Sequence, residues 1–146
     1  MRLASAPGGS NKRPLGSRST GPIGQSGGMR ELLLVGSGGF VGAILRYLVS
    51  RGLAGSAFPY ATLLVNVLGS FVLGYVAGQL ENGSLNEVHR QLVAVGLLGA
   101  LTTFSTFSLE TIVLLREGQH GAAALSVLLN VGLALLAARA GLAVAV

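Results

Sequence analysis

Four stretches of mostly apolar residues, separated by short polar breaks, constrain this chain more than any other feature. They lie near Leu32 to Val49, Tyr60 to Leu80, Gln91 to Leu115 and Ala122 to Val144. A helix needs about 20 such residues to cross a hydrocarbon core about 30 Å thick, so each stretch has the length of a membrane span. Composition agrees: 51% of the residues are apolar and 10% are charged, too little polar surface to coat a soluble globule. The expected fold class is an all-α integral membrane protein with four transmembrane helices. Cysteine is absent, which excludes disulfides, thiol catalysis and cysteine metal sites.

The formal charge of +5 sits in the first thirty residues, where Arg2, Lys12, Arg13, Arg18 and Arg30 meet no acid. From Glu31 onward five arginines balance five glutamates, so the membrane body is neutral. Residues 1–28 are rich in Gly, Ser and Pro and have no hydrophobic period, which predicts a disordered, solvated basic tail rather than a signal peptide. Residues 29–146 form the four-helix transmembrane domain. The run MRELLLVGSGG makes Met29 a natural start for a short membrane protein, so the expectation is that translation begins there. On that count Arg30, Arg90 and Arg139 lie on one side of the membrane and Arg46, Arg51 and Arg116 on the other. Such a balance gives the positive-inside rule no preferred answer, and insertion in both orientations, with pairing as an antiparallel homodimer, is the consequence.

Small and polar residues recur at helical spacing. Thr62, Asn66, Ser70, Gly74 and Gly78 form one ridge of the second helix, and Ala122, Ser126, Asn130, Ala134 and Ala138 form one on the fourth. Gly38 and Gly42 serve the first helix in the same way. Such ridges allow close backbone approach and interhelical hydrogen bonds, which replace a hydrophobic driving force in lipid. Asn66 lies well inside the membrane, and its amide either offers two donors to an anion or makes an interhelical hydrogen bond. Asn130 poses the same choice with a stronger lean to packing. Arg46 either snorkels or meets an acidic partner, and an interfacial structural role is favoured. Glu110 lies four residues after Thr106 and eight after Thr102, on one row if the segment is helical; it is either an ionisable carrier within the span or an interfacial charge.

The segment GLLGALTTFSTFSLE, Gly96 to Glu110, is too polar to face lipid, so it is buried in protein or lines a wet cavity. Gly96, Gly99 and Ala100 beside Thr102, Thr103, Ser105 and Thr106 predict an interruption of the third helix near Gly99 to Thr103. Freed carbonyls there could hold a cation. Phe104 and Phe107 are three residues apart, and an aromatic ring has a positive edge that can face an anion without any fixed charge.

The blocks GGFVGAILRY at Gly38 to Tyr47, TLLVNVLGSFVLG at Thr62 to Gly74 and GALTTFSTFSLE at Gly99 to Glu110 resemble, in order and spacing, the signature blocks of the CrcB/Fluc fluoride channel family. The resemblance covers essentially Met29 to Val144, and TTFSTF following VN-x-x-GSF is highly specific. It implies four-helix subunits with helix 3 broken, assembled as antiparallel dual-topology homodimers in the cell (inner) membrane of a prokaryote. It also implies a structural sodium ion at the dimer centre, held by backbone carbonyls matching Gly99 and Thr102. Two pores would each be lined by the phenylalanines matching Phe104 and Phe107, the asparagine matching Asn66, and a polar track matching Thr103, Thr106 and Glu110. Ser105 is also in the motif, and the arginine matching Arg46 helps define the vestibule or the packing around it. Relatives often carry a serine where Asn130 aligns, so the resemblance leaves open whether Ser126 and Asn130 belong to the polar track.

The implied function is passive, selective export of fluoride from the cytoplasm, which protects against fluoride toxicity. The partners are then the fluoride ion, a second copy of the chain and the bilayer, with no nucleic acid. A small proton-coupled multidrug exporter is the alternative, since that class also forms four-helix, dual-topology dimers. It would usually carry its glutamate in helix 1 with tryptophan nearby, whereas this chain has Glu110 in helix 3 and no tryptophan. A non-transporting assembly subunit would leave TTFSTF unexplained. An enzyme is not indicated, because Ser, His and acid form no recognisable catalytic set.

Overall fold

The computed structural model describes residues 26–145. It contains α1 (Ser26–Gly52), α2 (Tyr60–Glu81), α3 (residues 87–101), α4 (Phe104–Arg116) and α5 (His120–Val144). Helices α3 and α4 together make the third of four apolar spans. The helical spans exceed their apolar stretches by one to six residues at one or both ends, because the terminal turns are polar and lie where backbone groups can reach water. The basic tail, expected over residues 1–28, lies outside the described residues as far as residue 25. Ser26 to Gly28 belong to the first turn of α1 instead, since helical hydrogen bonding runs on beyond the apolar pattern that marked the boundary.

The turn from α4 to α5 shows how a short connection reverses the chain. Gly118 has φ 73°. Its N–H donates to Leu115 O at 3.1 Å and the Gln119 N–H to Leu114 O at 2.8 Å. This pair of bonds closes the end of α4, and glycine takes the left-handed conformation without a Cβ clash.

Two helix pairs dominate the packing: α2 with α5, and α1 with α3. In the second pair a Cβ on Gly38 or Gly42 would be driven into the backbone of Leu92 or Leu97, and one on Gly96 would meet Val35 O at 2.6 Å. In the first, Gly74 lies against the Ala138 carbonyl and Gly141 against the Phe71 carbonyl. These helices touch backbone to backbone. Lipid is as apolar as leucine, so contact dispersion and interhelical hydrogen bonds hold the bundle. The ridge read on α2 is partly its buried face, since Thr62, Gly74 and Gly78 are buried. Val65, Gly69 and Val76 are buried as well, so α2 is covered on more than the one ridge.

The third span has the least regular backbone. Arg90–Leu98 is π-helical over nine residues, a wider coil than the α-helix that spacing alone predicts. Its Leu92 and Leu97 carbonyls are the groups that Gly38 and Gly42 accommodate. Gly99–Leu101 is α-helical, and then the backbone extends, with φ −77° and ψ 154° at Thr102 and φ −151° and ψ 118° at Thr103. Residues before this pair pack on α1, while α4 packs on α5. The extended pair therefore passes the span from one helix pair to the other.

Candidate functional site

The extended residues Thr102 and Thr103 lie at the centre of the site. Thr103 caps α4: its Oγ1 accepts the Thr106 N–H at 3.2 Å and donates to Thr106 Oγ1 at 3.0 Å. Ser105 Oγ is 3.3 Å from the same hydroxyl. Asn66 of α2 treats Thr103 as a peptide partner, its Oδ1 accepting the Thr103 N–H at 2.8 Å and its Nδ2 donating to Thr103 O at 3.1 Å. This two-point match fixes which end of the amide is nitrogen. Asn66 Nδ2 also donates to Asn130 Oδ1 at 3.0 Å, and Asn130 Nδ2 donates to Ser126 O at 3.1 Å.

These bonds leave carbonyls free. In an unbroken helix the Thr103 N–H would bond to Gly99 O and the Thr106 N–H to Thr102 O. Asn66 takes the first donor and the Thr103 hydroxyl takes the second. Arg46 of α1 supplies a replacement at one position, its Nε donating to Ala100 O at 3.1 Å. The guanidinium thus binds a carbonyl near the end of α3, a partner that neither snorkelling nor an acidic contact anticipates. The Thr102 hydroxyl turns back to Leu98 O at 2.9 Å, and its methyl fills the space where Gly69 has no side chain. Electrostatically, α3 ends here with negative carbonyl dipoles and the thirteen-residue α4 begins with positive N–H dipoles.

A groove of about 330 Å³ opens beside the pair. Asn66, Thr102, Thr103, Phe104, Phe107 and Asn130 all line it, together with Ser70 and apolar residues of α2 and α5. No charged side chain is in this lining. The two rings meet edge to face, with centroids 5.4 Å apart and planes at 62°. They are not equivalent: Phe107 is 7% exposed and Phe104 is 77% exposed. The site can therefore meet an anion with ring edges, and with amide hydrogens that leave their present acceptors, rather than with a fixed charge.

Other sequence candidates sit apart from this groove. Ser126 is fully buried, its Oγ 3.5 Å from Thr111 Oγ1, so it packs α5 against α4 and does not line the groove. Glu110 lines a separate cavity of about 400 Å³ with Ser56, Pro59 and Glu117. Its Oε2 is sealed from solvent and has no hydrogen-bond partner among the described residues. Thr106 and Glu110 share α4, whereas Thr102 lies outside it, because the extended pair ends the row that sequence spacing drew through all three. Gly69 and the Thr103 peptide are the parts that sequence reasoning missed. The adjacent small residues Gly69 and Ser70 were the available signal, since they put small groups on two sides of α2.

Residues 33–142 match the family model described as CrcB-like protein, Camphor Resistance (CrcB). The chain belongs to the CrcB family. This CrcB chain is 53% identical over 112 residues to a protein of Shewanella oneidensis named fluoride-specific ion channel FluC, a match covering 73% of this chain and 89% of the relative. Proteins of the same name from Shewanella sp. strain ANA-3 and Shewanella baltica strain OS155 are 53% and 52% identical over the same length and coverage. The CrcB-matched region takes in the groove, the extended pair and Arg46.

Proposed function

We propose that this chain is a fluoride-selective channel that passively exports fluoride across the membrane and so protects against fluoride toxicity. The observation that carries the reading is the 53% identity to proteins named fluoride-specific ion channel. The uncharged groove beside the extended pair supports it. Fluoride is small and tightly hydrated, so a path for it needs close donors that replace water without trapping the ion. The Phe104 and Phe107 ring edges and the Asn66 amide are such donors. Thr103 and Thr106 continue the path as a hydroxyl track, with Ser105 at its side, toward the separate cavity that Glu110 lines. Hydrogen fluoride crosses lipid, ionises in the cytoplasm and leaves as the anion, driven by an inside-negative potential.

The extended pair is read as the break of helix 3. Gly99 and Thr102 suit a hard cation such as sodium, because their carbonyls are deprived of helical donors and sit at the negative end of α3. A cation held there offsets the cost of bringing anions into a low dielectric. Arg46 holds the neighbouring Ala100 carbonyl, which keeps the end of α3 in place. A second copy in the opposite orientation would cover the exposed Phe104 and complete both the cation site and the pores. The membrane is taken to be the inner membrane of a prokaryote.

Proteoliposomes loaded with potassium fluoride test the reading directly. On adding valinomycin, the protein should release fluoride and not chloride. Release that requires a proton gradient, or no release, overturns it.

A further inference from the structure

The groove holds a hydrogen-bond chain whose direction is set at every link. Asn130, 5% exposed, donates through Nδ2 to Ser126 O at 3.1 Å, which turns its Oδ1 toward Asn66. That oxygen accepts from Asn66 Nδ2 at 3.0 Å. The same Nδ2 donates to Thr103 O at 3.1 Å, while Asn66 Oδ1 takes the Thr103 N–H at 2.8 Å. Both hydrogens of the Asn66 amide are therefore engaged before any ion arrives. An anion that needs one of them must displace an acceptor. Thr103 O is the harder to displace, because it and the Thr103 N–H grip the same amide at two points. Asn130 Oδ1 makes a single bond from a side chain that lines the groove itself.

We propose that Asn130 is a latch on Asn66: its Oδ1 competes with fluoride for one N–H of the Asn66 amide, and the ion gains that donor only as Asn130 releases it. The inference rests on the fluoride-channel reading. An ionic acceptor makes hydrogen bonds roughly twice as strong as a neutral carbonyl does, so a desolvated fluoride can win the exchange. The returning carbonyl then helps the ion leave. Conduction needs this balance, since a site that binds too tightly does not pass ions on.

The latch predicts a gain on deletion, which a purely structural role does not. Asn130→Leu removes the acceptor while keeping the branched outline, and Asn130→Ala removes it without adding bulk. Each should lower the fluoride concentration giving half-maximal efflux from proteoliposomes by about fivefold, the change one net hydrogen bond of about 1 kcal/mol produces. An unchanged or raised half-maximal concentration in folded dimers of either variant overturns the latch. Should neither variant fold, fluoride titration of the wild-type protein by side-chain amide nitrogen NMR decides. The Asn130 and Asn66 signals should both move, and a fixed Asn130 signal overturns the proposal. Absence of fluoride efflux from the wild type removes the channel reading itself and is seen before any variant is made.

Discussion

At the residue scale, chemistry is concentrated in the few side chains that replace missing helical bonds. Asn66 is matched to both polar groups of the Thr103 peptide, a match that a carboxamide makes and a carboxylate cannot. Asn66→Asp exchanges a donor for a second acceptor and sets it against the Thr103 and Asn130 oxygens. Valinomycin-driven fluoride efflux is expected to fall more than about tenfold, which needs only about 1.4 kcal/mol on the barrier, while size-exclusion chromatography still shows the folded assembly. Wild-type efflux would show that the anion does not use this amide. Phe104→Ile tests the ring edge with little risk to folding, since Phe104 is 77% exposed in the protomer. Efflux should drop by a similar factor in the same assay, and retained flux would move the pore elsewhere.

At the element scale, the glycines decide which helices can meet. Gly42→Val places its side chain on the Leu97 carbonyl and parts α1 from α3, whereas Gly36 has nothing within 4 Å of a Cβ. Gly42→Val should destabilise the protein by about 1–3 kcal/mol or more, read as a lowered thermal midpoint in detergent, and Gly36→Ala should leave the midpoint unchanged or raise it. Equal behaviour of the two variants would contradict the backbone-to-backbone contact. These ridges were legible in sequence because a four-residue period puts small groups on one helical row. The π-helical course of Arg90–Leu98 was not, because its i→i+5 bonds answer to close packing against α1 rather than to any propensity of RQLVAVGLL. The direction of Arg46 was likewise hidden, since its carbonyl partner Ala100 is 54 residues away in sequence and is available only where α3 ends.

At the scale of the whole molecule, charge and exposed surface bear on the proposed dual insertion and pairing. Arg46 is engaged with Ala100, which leaves Arg51 and Arg116 at one end of the bundle and Arg30, Arg90 and Arg139 at the other. Counted from Met29, where translation is expected to begin, that is two arginines against three, a slight bias. Single cysteines at Ser84 and Gln119, exposed in turns at opposite ends, should each be only partly labelled by an impermeant thiol reagent in intact cells. Complete labelling of one and none of the other would rule out dual insertion. Replacing sodium by a large organic cation should lower the thermal midpoint of the assembly, and no change would count against a structural cation at Gly99 and Thr102. By itself the sequence determined four spans, their small-residue ridges and the region that lipid cannot solvate, because length, period and polarity are local properties. Which donors and acceptors meet was decided by the tertiary structure. Asn66, Thr103, Asn130 and Ser126 come from three spans, and hydrogen bonds of about 3 Å are specified only once the helices are packed.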